Sequence, residues 1–201
     1  MSFENPQHTK NLLLLKSINR KKPYQKKLKN KKKKDNQKIA RTRRQRGYNW
    51  ENTLVKRFNS LNGWKAFRLG SPSVSLPDIL VVNNKNSSIF TIEAKSGTGT
   101  TLQVPFDQII RCLMWTEHFE LYKTRKVILA FKFLSKKRVD IGKYEQRQLR
   151  EFYKVWDVSK KTVNCVCTYE GQTYAVKDGK RSKLYLEEYP MPFKSKYRIL
   201  L

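Results

Sequence analysis

Acidic residues are scarce in this chain: 16 Asp and Glu stand against 44 Lys and Arg in 201 residues, a formal charge of +28. That imbalance opposes compaction and draws in polyanions, so nucleic acid leads the candidate partners, although charge alone names no activity. Cysteine is also rare. Cys112, Cys165 and Cys167 are too few and too scattered for a disulfide framework, which favours a reducing compartment. Cys165 and Cys167 stand two apart with a single further cysteine, short of the pattern a zinc site requires. The only histidines are His8 and His118. No apolar run approaches the ~20 residues of a membrane span, and Leu12 to Leu15, followed by Lys16, is too short for a signal peptide's apolar region. The expected setting is the cytoplasm, at the nucleoid, with no membrane association. No internal repeat is evident.

Residues 1–46 read as a basic arm. From Lys10 to Arg46 there are 17 Lys and Arg and one acid, Asp35. A stretch so charged and so poor in apolar residues cannot bury enough surface to offset its ordering entropy, so disorder is expected, with at most a helical turn near Leu12 to Ile18. Its role would be sequence-independent contact with phosphates, Arg41, Arg43, Arg44 and Arg46 included.

The folded core is expected over 47–157. Trp50, Leu54, Phe58 and Leu61 recur at helical spacing and Asn62-Gly63 supplies a stop, so a helix is predicted over 48–62. Trp64 to Leu69 reads as a strand, followed by a hydroxyl-rich loop through Ser71, Ser73 and Ser75. Two aliphatic runs, Leu76 to Val82 and Ile89 to Lys95, flank a polar turn and predict a hairpin. The strand's period of two sets Thr91, Glu93 and Lys95 on one face and Phe90, Ile92 and Ala94 on the other, toward a core. Asp78 opens the first run, and hairpin twist can bring it beside Glu93. Two converging carboxylates repel unless a cation lies between them, and hard oxygen ligands suit Mg²⁺, with Mn²⁺ as a substitute. Lys95 could then hold a scissile phosphate or an attacking water. Metal activation also suits a motif without histidine.

Pro77-Asp78, fourteen intervening residues and Glu93-Ala94-Lys95 resemble the PD-(D/E)xK nuclease superfamily. The wider pattern resembles the archaeal Holliday junction resolvases: a glutamate near the first helix, an arginine ending the first strand, a Ser/Gly loop, Pro-Asp, then Glu-x-Lys. The resemblance covers about 47–135. It implies Glu51, Asp78 and Glu93 as metal ligands, with the Ala94 carbonyl as a further one. Lys95 would act in catalysis, Ser71 or Ser73 (or Ser75) would assist cleavage, and Arg68 and Gln108 would contact DNA. Asn52 stands where the family often has arginine. Resemblance further implies a homodimer that nicks two opposing strands of a four-way junction by metal-dependent hydrolysis.

Downstream, Pro105 to Phe119 reads as a helix and Lys126 to Leu134 as a strand, which places that strand parallel to the Glu93 strand. Tyr144 to Trp156 reads as a helix, with Leu149, Phe152, Tyr153 and Trp156 on one side. Thr162 to Thr168, Gln172 to Val176 and Leu184 to Glu188 suggest a small β extension over 158–201. The fold class expected is α/β, a restriction-endonuclease-like mixed sheet flanked by helices. Two alternatives stay open: another PD-(D/E)xK repair or restriction-like nuclease, and a basic nucleic-acid-binding protein without activity.

Overall fold

The computed structural model describes residues 35–69, 75–140, 142–156 and 163–193. The chain divides into two compact units, Met1–Arg44 and Gln45–Leu201. In the first, residues 35–44 are helical and exposed, where disorder was expected; residues 1–34, with the leucine run, lie outside the described residues. Lys, Arg, Gln and Ala are good helix formers, and Thr42 Oγ1 donates to the Lys38 carbonyl at 2.9 Å.

In the second unit, residues 45–59 are helical, labelled α1, so the helical assignment extends ahead of the apolar stripe. Trp50, Leu54 and Phe58 are its buried face. The chain then turns through Gly63, whose φ of 81° lies in the left-handed region that glycine adopts without strain. Five strands build the main sheet in the order β1 (Lys65–Arg68), β2 (Ile79–Asn83), β3 (Ser88–Gly97), β5 (Thr124–Phe133) and β8 (Arg150–Trp156). β1–β2 and β2–β3 are antiparallel, β3–β5 is parallel and β5–β8 antiparallel. Helix α2 (Phe106–Glu117) is the crossover between the parallel strands, as the sequence pattern implied.

β3 and β5 lie in the interior of the sheet and are buried on both sides. One face carries α1, with Phe90, Ile92, Ala94, Ile128 and Ala130 in its core. The other carries α2 and a second sheet, with Ile109, Cys112, Val127, Leu129 and Phe131 between them. Strands covered on both faces read as nearly continuous apolar runs. Thr91 and Glu93 are therefore fully buried rather than solvated. Thr91 shows the cost being met: its hydroxyl bonds the Cys112 carbonyl of α2 at 3.0 Å and the Thr116 hydroxyl at 2.7 Å.

The second sheet runs β11 (Lys180–Lys183), β10 (Thr173–Lys177), β9 (Asn164–Thr168), β4 (Thr101–Val104). The β extension thus shares its sheet with β4 from the core. Leu184 to Glu188 is not a strand; it meets β8 through an isolated Lys154–Glu188 bridge and through the Glu188 carboxylate, which accepts the Tyr153 amide at 2.6 Å and pairs with Lys154 at 2.8 Å. Cys165 and Cys167 lie buried on β9, and burial pushes the Cys165 thiol up to about 12.

Tyr144 to Trp156 corrects the expected helix. It forms β7 (Lys143–Gln146), paired with β6 (Lys136–Asp140), and then β8. Residues 149, 152, 153 and 156 satisfy a helical period, but Arg150–Trp156 is also rich in aromatic residues. The open edge of β5 decides the matter, because its backbone groups need partners that only a strand supplies.

β8 also places a buried charge under α1. Arg57 Nη1 donates to Glu151 Oε2 at 2.6 Å and to the Tyr153 hydroxyl at 3.0 Å, while Lys132 stands 3.6 Å from Glu151 Oε1. Burial alone would raise the Glu151 carboxyl, but Arg57, through its hydrogen bonds and charge, holds it below the ordinary value. A lowered carboxyl stabilises the fold above the usual carboxylate range, and that contribution is lost as pH falls through the folded pKa. Removing one partner of such a pair strands a buried charge, so Arg57→Met is expected to cost about 3 kcal/mol. Urea unfolding from pH 7 to pH 3 checks this, with the gap between variant and wild type closing at the acid end.

Candidate active site

Each acid reaches the site by a different route. β1 and β2 pair Arg68 with Ile79, and the Leu69 amide donates to the Asp78 carbonyl at 3.0 Å, so Arg68 and Asp78 end adjacent strands. The β2–β3 ladder begins at Ile79–Ile92. Beyond it, among the described residues, β3 has no partner strand on that side, and Asp78 fills the gap: its Oδ2 accepts the Ala94 amide at 2.8 Å. Asp78 thereby sits next to Glu93, the neighbour of Ala94. Glu51, on α1 beside Trp50 and buried, stands 3.6 Å from Arg68. The Arg68 guanidinium also lies over the Tyr48 ring, 4.8 Å from its centre.

Glu93 is fully buried, and two cations hold it. Lys95 Nζ donates to Oε1 at 2.6 Å, and Arg111 Nη2, from α2, donates to Oε2 at 3.1 Å. Desolvation nonetheless dominates. It lifts the Glu93 carboxyl to about 7; Lys95 and Arg111 pull it down and the Asp78 charge pushes it up. Glu51 behaves alike: burial, then Asp78, raise it to about 7 against the pull of Arg68 and Lys95. Asp78 is therefore the shared neighbour of two buried acids. Near neutral pH the cluster carries more negative charge than its surroundings solvate, which is the condition an added cation relieves.

Among the described residues no three His, Cys, Asp or Glu side chains converge closely enough to hold a metal ion by themselves. The donor set still fits a hard divalent cation. Mg²⁺ is commonly bound by one or two carboxylates and completes its shell with water and substrate phosphate. A carboxylate offers about four lone-pair sites, so the bonds from Lys95 and Arg111 leave Glu93 able to bind a cation.

Of the residues the sequence singles out, the structure brings together Glu51, Arg68, Asp78, Glu93, Ala94 and Lys95. Gln108 lies on α2 one turn before Arg111, on the same face, and its Oε1 is buried without a hydrogen-bond partner. Ser71 and Ser73 lie outside the described residues. Ser75 is described, and its carbonyl accepts the Trp115 indole N–H at 2.9 Å. Arg41, Arg43 and Arg44 are exposed in the first unit and Arg46 is half-buried in the second.

Sequence reasoning missed Arg111. The available signal was its place one turn after Gln108 on a crossover helix that must lie over the Glu93 strand. Because the Arg111 charge lowers the Glu93 carboxyl, Arg111→Gln is expected to raise it further. Divalent-cation affinity at pH 7 should then fall, and its pH dependence should move to higher pH and converge with wild type near pH 9. Calorimetric titration of Mg²⁺ across that range checks it, and an unmoved profile contradicts the coupling.

The family described as archaeal Holliday junction resolvase (Hjc) matches residues 42–171. Among solved structures the chain is similar to the Archaeoglobus fulgidus Hjc, a Holliday junction resolvase from an archaeal hyperthermophile. Identity is 16%, the TM-score is 0.42, and the match covers 62% of this chain and 85% of that one. No curated protein matches. No helix of the described residues is long and apolar enough to cross a membrane. The matched segment runs from the start of α1 through β9 and contains every acid of the Asp78 cluster, and on that match the chain belongs to the archaeal Holliday junction resolvase family, whose members are nucleases.

Proposed function

We propose that this chain is a Mg²⁺-dependent endonuclease that works as a homodimer, nicking two opposing strands of a four-way DNA junction. The observation that carries the reading is the Asp78–Glu93 pair, set where the β2–β3 ladder ends, with Lys95 bonded to the second acid. Asp78 and Glu93 would hold the ion, with Glu51 and the Ala94 carbonyl as further oxygen donors. The ion supplies charge stabilisation at the phosphate and lowers the pKa of bound water.

The chain's own side chains do the rest. Lys95 presents an ammonium where negative charge grows on the phosphate oxygens, a contribution larger in a buried site than in water. Arg68, on the Glu51 side, binds a neighbouring phosphate. Gln108 offers an amide to a phosphate or its water. A serine of the loop before Pro77 assists at the leaving oxygen. Each chain carries one such acid set, and two opposed nicks need two of them, which favours a dimer. Charge of +28 supplies affinity for the polyanion without selecting a sequence.

A supercoiled plasmid that extrudes a cruciform tests this. Wild type with Mg²⁺ should linearise it by paired nicks, and EDTA should stop the reaction. Asp78→Asn and Glu93→Gln should each lose cleavage while binding junctions as wild type does. Lys95→Ala should lower turnover by at least about 100-fold with little change in binding, the mark of an interaction made in the transition state. Cleavage retained by either acid variant would overturn the metal assignment. Equal competition by a linear duplex would instead favour a nuclease without branch preference.

A further inference from the structure

The hairpin β6–β7 lies between β5 and β8 in the chain and joins neither of the larger sheets. Its two strands are almost wholly exposed, and no buried apolar residue explains them. What they carry is sorted charge. The register pairs Lys136 with Gln146 and Arg138 with Tyr144, so Lys136, Arg138, Tyr144 and Gln146 share one face. Lys137 and Glu145 are opposite each other on the other face and form an exposed ion pair at 3.9 Å. Arg138 Nε donates to the Asp140 backbone carbonyl at 3.3 Å, and among the described residues the ion pairs found include neither Lys136 nor Arg138. One face is thus basic and aromatic, while the other is neutralised.

The hairpin is anchored beside the candidate active site. The Leu134 amide donates to the Gly97 carbonyl at 2.9 Å, and the Arg138 amide donates to the Thr98 carbonyl at 3.0 Å. Arg147, just after β7, donates from Nε to the Leu134 carbonyl at 2.8 Å and from Nη2 to the Gly99 carbonyl at 3.0 Å. Its guanidinium also lies over the Tyr169 ring, 4.5 Å from the centre. Thr98 follows Lys95 by three residues, which span at most about 10 Å of extended chain. At 3.4 Å of axis per step along one strand, that is roughly three base steps of duplex. Arg138 is consequently held a few phosphates from the place where Lys95 would meet the scissile one.

We propose that β6–β7 is a DNA-binding ribbon that lies along the duplex arm next to the cut, with Lys136 and Arg138 on phosphates and Tyr144 against the sugar or base edges. The proposal rests on the nuclease reading above. A two-stranded antiparallel ribbon matches the width of a duplex major groove, and the one-sided charge sets which face turns inward. Contacts of this kind add affinity and orientation without entering the chemistry.

The test uses full-length protein and an immobile four-way junction, with binding measured by anisotropy in EDTA over a range of salt. Lys136→Gln/Arg138→Gln should weaken binding at least 10-fold and flatten the slope of log affinity against log salt by up to about 1.8, or 0.9 per lost contact. Lys137→Gln, on the neutralised face, should change neither. Cleavage at saturating protein should stay within twofold of wild type in Lys137→Gln. A benzophenone side chain at position 144 should crosslink to the arm beside the nick, and the same group at position 145 should not. An unchanged slope in the double variant, an equal loss in Lys137→Gln, or crosslinking equal at both positions would overturn the ribbon. Wild type that fails to nick a cruciform in Mg²⁺ would overturn the nuclease reading instead, leaving the binding and crosslinking results to judge the ribbon.

Discussion

A carboxylate buried in the middle of a sheet is the constraint around which this molecule is arranged. Glu93 has no exposure to solvent, and an unpaired charge there would be too costly to keep ionised. Three features answer that cost. Lys95, on the same strand face, bonds one oxygen. α2, required as the crossover between parallel β3 and β5, delivers Arg111 to the other. The end of β2 leaves the Ala94 amide open, and Asp78 accepts from it. Even so, burial holds Glu93 near pH 7. The compensation is incomplete, and a site that binds a divalent cation needs that remainder.

The same economy appears beneath α1 with the opposite outcome. Glu151 is as deeply buried, yet Arg57, Tyr153 and Lys132 surround it and its carboxyl falls below the ordinary value. The contrast separates two uses of a buried acid. Glu151 is satisfied by its neighbours and fastens β8 to α1. Glu93 is left short of positive charge beside two other acids, as functional sites tend to be.

What the sequence made legible followed from local periodicity. The α1 stripe, the β2–β3 hairpin with its turn at 84–87, and the parallel crossover through α2 all depend on residues close in the chain. Pro77-Asp78 and Glu93-Ala94-Lys95 carried the site because a hairpin fixes their relation. β8 was misread because its aromatic residues fit both periods, and only the unpaired edge of β5, some twenty residues away, separates them. Helix at 35–46 was missed because charge was weighed over propensity. Arg111 was missed because its meaning depends on the angle at which α2 crosses β3, which no spacing encodes. Its role came from the partner it meets, not from a motif.

On the function proposed, Asp78 and Glu93 would together form the cation site. Crystals of the full chain soaked in Mn²⁺, with data collected for anomalous scattering, test it most directly. A peak is expected about 2.1 Å from a carboxylate oxygen of each, with Lys95 and Arg111 still bonded to Glu93. A peak bound elsewhere, or none at this pair in a crystal that holds Mn²⁺ at other positions, would contradict it.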